Sequence, residues 1–177
     1  MKKKNIILII SIVLILSILL NFYLVNYNVF TKIKPSKILV NDKNISEVLS
    51  LEGFKEVSVN VSGQYIALLD NCTAIVATTT EQQADSIDRA LTNRVEIRPT
   101  THDLIKNVFD EFGIEILRVK IVDMHDGNYF SDFIIKQGNK ILNLDVRPSD
   151  AVAVALRMNV PVYIKNELMD KYGQNIC

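Results

Sequence analysis

An uncharged and strongly apolar stretch near the N-terminus restricts the folding of this chain more than any other feature of its sequence. No charged residue lies between Lys4 and Lys32, and residues 6–25 are apolar except for four polar side chains. As an α-helix this stretch would be about 30 Å long, which is the thickness of the hydrocarbon layer of a membrane. We therefore predict a single transmembrane helix that anchors the chain within residues 1–25.

Two other interpretations fit this stretch less well. A secretory signal peptide also begins with Lys residues and an apolar run, but the segment after Leu20 has no small-x-small cleavage site. A buried helix of a globular protein is seldom apolar on all sides over this length. The Lys residues on the two sides nearly balance, so the orientation follows from likeness to signal anchors. We place the N-terminus in the cytoplasm and the domain outside it.

The remainder of the chain divides into a polar linker and one domain. Residues 26–53 are rich in Lys and Asn and contain Pro35, which is typical of a stalk. Residues 54–177 are numerous enough to bury the core of one domain. From residue 26 onward the chain has 17 basic and 20 acidic residues. The bulk composition therefore shows no broad basic surface of the kind that binds nucleic acid.

The chain contains only two cysteines, Cys72 and Cys177, and two histidines. Their scattered positions exclude the ligand spacings of zinc sites. The cysteines either pair outside the cytoplasm or remain a buried thiol and a thiol at a frayed terminus. We adopt the second interpretation as the expectation.

Patterns of strands and helices follow one another through the domain. Valines alternate with polar residues over 57–61, as in a half-buried strand. Asp126-Gly127 predicts a tight hairpin turn, because Asp-Gly tolerates positive φ angles. The order predicts an α+β fold with a mixed, largely antiparallel sheet and packed helices. The predicted strands are residues 57–61, 65–69, 74–77, 116–122, 129–135, 141–147 and 160–164, and the predicted helices follow Thr80, Pro99 and Pro148 or occupy residues 166–172.

The sequence lacks the glycine loops of nucleotide-binding proteins, the esterase elbow, the zinc-protease motif and the EF-hand loop. Polar residues cluster instead at two predicted helix starts. Such residues cap helices in many proteins, each contributing about 0.5–2 kcal/mol, and a nearby Arg is usually a structural ion pair. Spacing alone therefore favours caps and ion pairs over a functional site. The clusters are Arg98, Thr101, His102 and Asp103, and Asp145, Arg147, Ser149 and Asp150.

The two clusters resemble the paired signatures of the bifunctional nuclease domain family. The first is Arg-Pro-Thr-Thr-His-Asp-Leu at residues 98–104, and the second is Asp-Val-Arg-Pro-Ser-Asp-Ala at residues 145–151. Residues 81–87, 119–127 and 160–164 fit the same pattern, and the likeness extends over about residues 56–172.

The resemblance implies a nuclease that acts on RNA and DNA, with a compact α+β fold that tends to dimerise. It also implies which residues carry the activity. The catalytic candidates are His102, Asp103, Asp145, Arg147 and Asp150, and the substrate-binding candidates are Arg98, Thr101 and Ser149.

A mechanism for these candidates follows from what phosphodiester hydrolysis requires. The reaction needs an attacking water, stabilisation of charge on the phosphoryl oxygens and a proton for the leaving oxygen. We assign Asp145 and Asp150 to a Mg²⁺ or Mn²⁺ ion, Arg147 to phosphate and His102 to proton transfer. The alternative is a noncatalytic, membrane-tethered binding or oligomerisation module, in which the same residues only hold helix starts and a dimer interface.

Overall fold

The computed structural model describes residues 12–21, 23 and 45–177, together with the backbone of residues 37–40. The chain divides between Pro35 and Ser36 into two units, and the fold described below is that of the second unit. The division into anchor, linker and domain at residues 25 and 53 stays a prediction.

The structure contradicts the prediction that the protein is located in a membrane. Residues 12–21 and 23 are helical. Within the part of the chain that the structure describes, no helix is both long enough and apolar enough to cross a membrane. The rest of the predicted anchor, at residues 1–11, 22, 24 and 25, lies outside the described residues.

A mixed and mainly antiparallel sheet forms the centre of the second unit. Its nine strands are ordered β1-β7-β6-β5-β8-β2-β3-β4-β9. Neighbouring strands are antiparallel except β5 and β8, which are parallel. The strands are β1 (Lys37–Val40), β2 (Phe54–Ser62), β3 (Tyr65–Asp70), β4 (Thr73–Thr78), β5 (Glu115–His125), β6 (Asn128–Gln137), β7 (Lys140–Val146), β8 (Val162–Lys165) and β9 (Gln174–Asn175).

Helices pack on this sheet, so the predicted α+β architecture is confirmed. They are α1 (Ile45–Leu49), α2 (Glu81–Leu91), α3 (Thr101–Phe112), α4 (Pro148–Arg157) and α5 (Asn166–Tyr172). Helix α4 lies against both α2 and α3 and against the sheet. Five consecutive residues of α4, from Ala151 to Ala155, are buried. This explains why its sequence is apolar on nearly every side.

The local signals placed the ends of several elements correctly. Thr80 caps α2, and Gln83 completes the predicted capping box. Pro148 is the first residue of α4, where its missing N–H costs no hydrogen bond. Asp126 and Gly127 have φ angles of 50° and 77°, as the predicted hairpin turn requires. These local signals fix where α2 and α4 begin and where β5 turns into β6.

The structure adds pairings that the sequence did not predict. Within the segment expected to be a stalk, β1 pairs with β7 and α1 forms a short helix. Strand β9 pairs with β4, and the N–H of Ile176 donates to the carbonyl of Cys72 at 2.9 Å. This brings Cys72 and Cys177 to a Cα–Cα separation of 5.2 Å, and they form a disulfide bond. The expectation of two separate thiols is therefore wrong, because strand pairing places the two residues side by side.

Candidate nuclease site

The starts of α3 and α4 meet in space and bring three of the predicted catalytic residues together. His102 Nε2 lies 3.3 Å from Asp150 Oδ1. Arg147 donates from Nε to Asp150 Oδ2 at 2.6 Å. The carboxylate of Asp150 is thus shared between an imidazole from one signature segment and a guanidinium from the other.

The three side chains of this group differ in their exposure to solvent. The side chains of His102 and Asp150 are 15% and 23% exposed, whereas that of Arg147 is 72% exposed. Among the described contacts, Arg147 donates to Asp150 only from Nε. The terminal N–H groups of the guanidinium are therefore available to an anion. The arrangement presents the guanidinium of Arg147 to solvent beside the partly buried imidazole of His102.

The second nitrogen of His102 contacts a residue that the sequence analysis did not single out. Its Nδ1 lies 2.8 Å from the hydroxyl oxygen of Ser86, which is buried in α2. The only sequence feature that could have indicated Ser86 is that it is a polar residue on the apolar face of this helix, beside Ala84 and Ile87. Helix start patterns cannot reveal this contact, because it depends on how α2 packs against α3.

Ser149 also contacts helix α2. Gln83 donates from Nε2 to the hydroxyl of Ser149 at 2.9 Å. The amide oxygen of Gln83 accepts from the hydroxyls of Thr79 and Thr80 at 2.6 and 2.9 Å. The side chain of Gln83 therefore joins the start of α2 to the start of α4.

Asp103 is bound to Arg157 and Thr100 rather than to His102 or Arg147. Its Oδ1 accepts from Arg157 Nε at 2.5 Å, and its Oδ2 accepts from the N–H and hydroxyl of Thr100. Arg157 also donates from Nη1 to the carbonyls of Ser86 and Ala153. With its side chain only 6% exposed, Arg157 ties α2, α3 and α4 together. Sequence reasoning missed it, although it is the single charge at the end of an apolar helix.

The pKa of Asp103 reflects this network. Burial alone would raise the pKa of the carboxyl group, but hydrogen bonds from Arg157 and Thr100 outweigh burial. The pKa falls from its ordinary value of 3.8 to about 2. Asp103 is therefore ionised in the folded protein at neutral pH, and its charge is compensated by Arg157.

The remaining candidates lie apart from the group formed by His102, Arg147 and Asp150. Arg98 and Thr101 are exposed, and neither forms a side-chain hydrogen bond or ion pair with the described part of the chain. Asp145 is exposed on β7, directly opposite Asp132 on β6. The predicted roles of Arg98, Thr101 and Asp145 stay predictions.

The predicted metal pair, Asp145 and Asp150, fits this geometry poorly. Both carboxylate oxygens of Asp150 already have partners. Oδ1 faces Nε2 of His102, and Oδ2 accepts a hydrogen bond from Arg147. Over the residues that the structure describes, no three His, Cys, Asp or Glu side chains group closely enough to hold a metal ion. Hard divalent cations need several oxygen ligands, so binding here would first have to displace Arg147. No step below is derived through a metal.

Replacing Asp145 by Asn is expected to stabilise the fold by about 0.2–1 kcal/mol, because like charges directly opposite on neighbouring strands repel. Urea unfolding of the full chain measures this change. Asp132→Asn should gain less, because Asp132 also lies opposite Lys120 and attracts its ammonium group. The double variant should gain little more than Asp145→Asn. A loss of stability in Asp145→Asn would contradict the expectation.

Nuclease assays on the same Asp145→Asn protein test the predicted catalytic role of Asp145 independently of its effect on stability.

Comparison with known proteins agrees with the two signature segments. The model of the bifunctional nuclease domain matches residues 70–176, which include both segments and the residues around His102 and Asp150. This chain belongs to the bifunctional nuclease domain family. The matched range begins near the end of β3 and includes every helix of the site.

Curated relatives in the family match shorter parts of the chain. A protein of Mycobacterium tuberculosis that carries no functional name is 38% identical over 76 residues, covering 43% of this chain and 44% of that protein. Bifunctional nuclease 1 of Arabidopsis thaliana is 30% identical over 90 residues, covering 49% of this chain and 28% of that protein. Bifunctional nuclease 1 of Oryza sativa subsp. japonica is 31% identical over 82 residues, covering 45% of this chain and 25% of that protein. The chain thus spans less than half the length of these relatives.

Proposed function

We propose that this domain is a nuclease that hydrolyses phosphodiester bonds of RNA, DNA or both. The observation that carries the proposal is the shared carboxylate of Asp150, which holds His102 and the exposed Arg147 together. Family membership and the names of the plant relatives support the same class of reaction.

The exposed guanidinium of Arg147 is the group that binds substrate. Asp150 fixes Nε of Arg147, so the planar guanidinium is oriented before substrate arrives. A phosphate can then accept two hydrogen bonds from the terminal nitrogens, the geometry that Arg favours. The domain as a whole is acidic, so attraction depends on this local cation rather than on a broad basic surface.

His102 is the group that moves protons. The attacking water enters between His102 Nε2 and Asp150 Oδ1, while Nδ1 donates to the hydroxyl of Ser86. As the bond of this water to phosphorus forms, Nε2 of the neutral imidazole takes a proton from it. The carboxylate of Asp150, 3.3 Å from Nε2, stabilises the imidazolium that results. The imidazolium then returns the proton to the leaving oxygen as its bond to phosphorus breaks. Asp103 stays ionised and bound to Arg157 throughout, so in this mechanism it positions α3.

The test is incubation of the full chain with labelled single-stranded and double-stranded RNA and DNA, each with and without EDTA. We expect cleavage of at least one substrate, with the rate unaffected when EDTA is added, because none of these steps uses a metal. Loss of all cleavage in EDTA would support the predicted Mg²⁺ or Mn²⁺ ion instead. Silence on all four substrates, with or without added Mg²⁺ or Mn²⁺, would reject the nuclease proposal.

The alternative to a nuclease is a noncatalytic oligomerisation module. One surface of the domain favours self-association whether or not the domain is a nuclease. Leu104, Val108 and Phe112 follow one another at four-residue spacing along α3 and are 58%, 39% and 66% exposed. Such a stripe of apolar residues on a helix is typical of a protein interface. We propose that a second copy of the chain covers it. The molecular mass in solution tests this, and a monomer at high concentration would reject it.

A further inference from the structure

We infer that Gln83 is a positioning residue of the nuclease site, which holds the Ser149 hydroxyl so that its hydrogen is free to donate to a bound phosphate. The inference rests on the proposed function and deepens it, because it adds a second phosphate contact beside Arg147 and a residue of α2 that controls it. Its basis is the contact of 2.9 Å between Gln83 Nε2 and Ser149 Oγ.

The contacts of Gln83 with the start of α2 settle which way its amide group points. The oxygen Oε1 lies 3.3 Å from the backbone nitrogen of Thr80, whose N–H can only donate. The same oxygen accepts from the hydroxyls of Thr79 and Thr80 at 2.6 and 2.9 Å. An amide nitrogen in this place would face a donor, so Oε1 faces Thr80 and Nε2 faces Ser149.

The direction of the hydrogen bond from Gln83 determines what the hydroxyl of Ser149 can do. The amide Nε2 carries hydrogens and does not accept, so the hydroxyl accepts there and cannot donate in that direction. Within the described part of the chain, Gln83 is the only hydrogen-bond partner of the Ser149 side chain. The hydrogen of the hydroxyl is therefore available to an acceptor that arrives from solvent.

The place of Ser149 in α4 suits it to contact the same phosphate as Arg147. Ser149 is half-buried in the first turn of this helix, two residues after Arg147 and one before Asp150. The helix start has no side-chain cap, and its first turn is electropositive. A phosphate that the guanidinium of Arg147 binds would thus meet a hydroxyl donor on the same turn, and hydrogen bonds to charged oxygens are the strong ones.

The experiment compares KM and kcat of the full chain in Gln83→Glu, in Ser149→Ala and in the double variant, with the best substrate of the RNA and DNA panel. In Gln83→Glu a carboxylate can keep the capping contacts with Thr80, but it can only accept from Ser149. The hydroxyl then donates to this carboxylate and is lost to the substrate. We expect KM to rise about tenfold in each single variant, as for a lost hydrogen bond to a charged group, with kcat within about twofold of the parent.

The double variant separates this role from repulsion of the phosphate by the added charge. Because Gln83 acts through the hydroxyl, adding Gln83→Glu to Ser149→Ala should raise KM by less than about twofold further. Gln82→Glu places the same charge on an exposed residue of the same helix and should match the parent. A parental KM in a folded Gln83→Glu protein, or a double variant that shows the full effects of both changes, would overturn the inference.

A parent that cleaves none of the four substrates would reject the nuclease function, and binding then tests the role of Gln83. Fluorescence anisotropy with the same labelled strands measures the affinity of the parent and of each variant. Weaker binding by Gln83→Glu and Ser149→Ala than by Gln82→Glu would keep this role. Equal binding by all of these proteins, or no binding by the parent, would overturn it.

Discussion

Replacing His102 by Ala is expected to lower the rate of phosphodiester cleavage by about 10²–10⁴-fold, the usual contribution of a positioned acid–base group. The loss should appear in kcat, because Arg147, still oriented by Asp150, remains to bind phosphate. The measurement is steady-state cleavage of the best substrate from the RNA and DNA panel. Circular dichroism on the same sample shows whether the variant is folded.

The chain offers a matched control for this prediction. His125 Nε2 lies 2.7 Å from Asp123 Oδ2, so it forms a second His–Asp pair in the same protein. That pair is at the end of the β5–β6 hairpin, with side chains 67% and 52% exposed. Among the residues that the structure describes, no arginine is bound to the carboxylate of Asp123. His125→Ala should therefore cleave at the parental rate. A folded His102→Ala protein that also keeps the parental rate would refute the proposed role of His102.

Replacing Arg157 by Met is expected to reduce the free energy of unfolding by about 3–5 kcal/mol, because it leaves the carboxylate of Asp103 without its charged partner. The substitution also removes the hydrogen bonds to the carbonyls of Ser86 and Ala153. Urea unfolding measures the change. Arg94→Met is the control, since Arg94 is 54% exposed and its ion pairs should contribute less than about 1 kcal/mol. A loss in Arg157→Met no larger than that in Arg94→Met would contradict the prediction.

Acid unfolding gives a second measure of the same network. The folded pKa of Asp103, about 2, lies below its ordinary value of 3.8. Its contribution to stability is therefore complete above pH 3.8 and is lost as the pH falls towards 2. In Arg157→Met the pKa should move back towards its ordinary value, so the loss of stability across this interval should become smaller. An unchanged slope between the two proteins would show that Arg157 does not set the pKa.

The parts of the fold that were predictable depend on neighbours in sequence. The hairpin at Asp126-Gly127, the cap at Thr80 and the helix start at Pro148 each require only a few adjacent residues. Strands β1 and β9 were not predicted, because four and two residues carry no periodic pattern and pair only when a distant partner is present. The disulfide between Cys72 and Cys177 depends on that same distant pairing.

The candidate site shows the same division between local and distant information. The two signature segments pointed to His102, Arg147 and Asp150, and the structure brings these side chains together. It also places Asp103 in a network with Arg157, which no spacing rule indicates because the two residues are 54 positions apart in the sequence. Ser86 was missed for the same reason, since a serine in a helix gives no sign of the imidazole it will meet.

The place of β8 in the sheet has a consequence for the order of assembly during synthesis. Strands β2, β3 and β4 form one set of sequential hairpins, and β5, β6 and β7 form another. Strand β8 is made after both sets and joins them, antiparallel to β2 and parallel to β5. Each set can pair early through local contacts, whereas the junction must wait until β8 has been made. Since α2 follows the first set and α4 the second, a ribosome-bound chain that ends before Val162 should lack the assembled site.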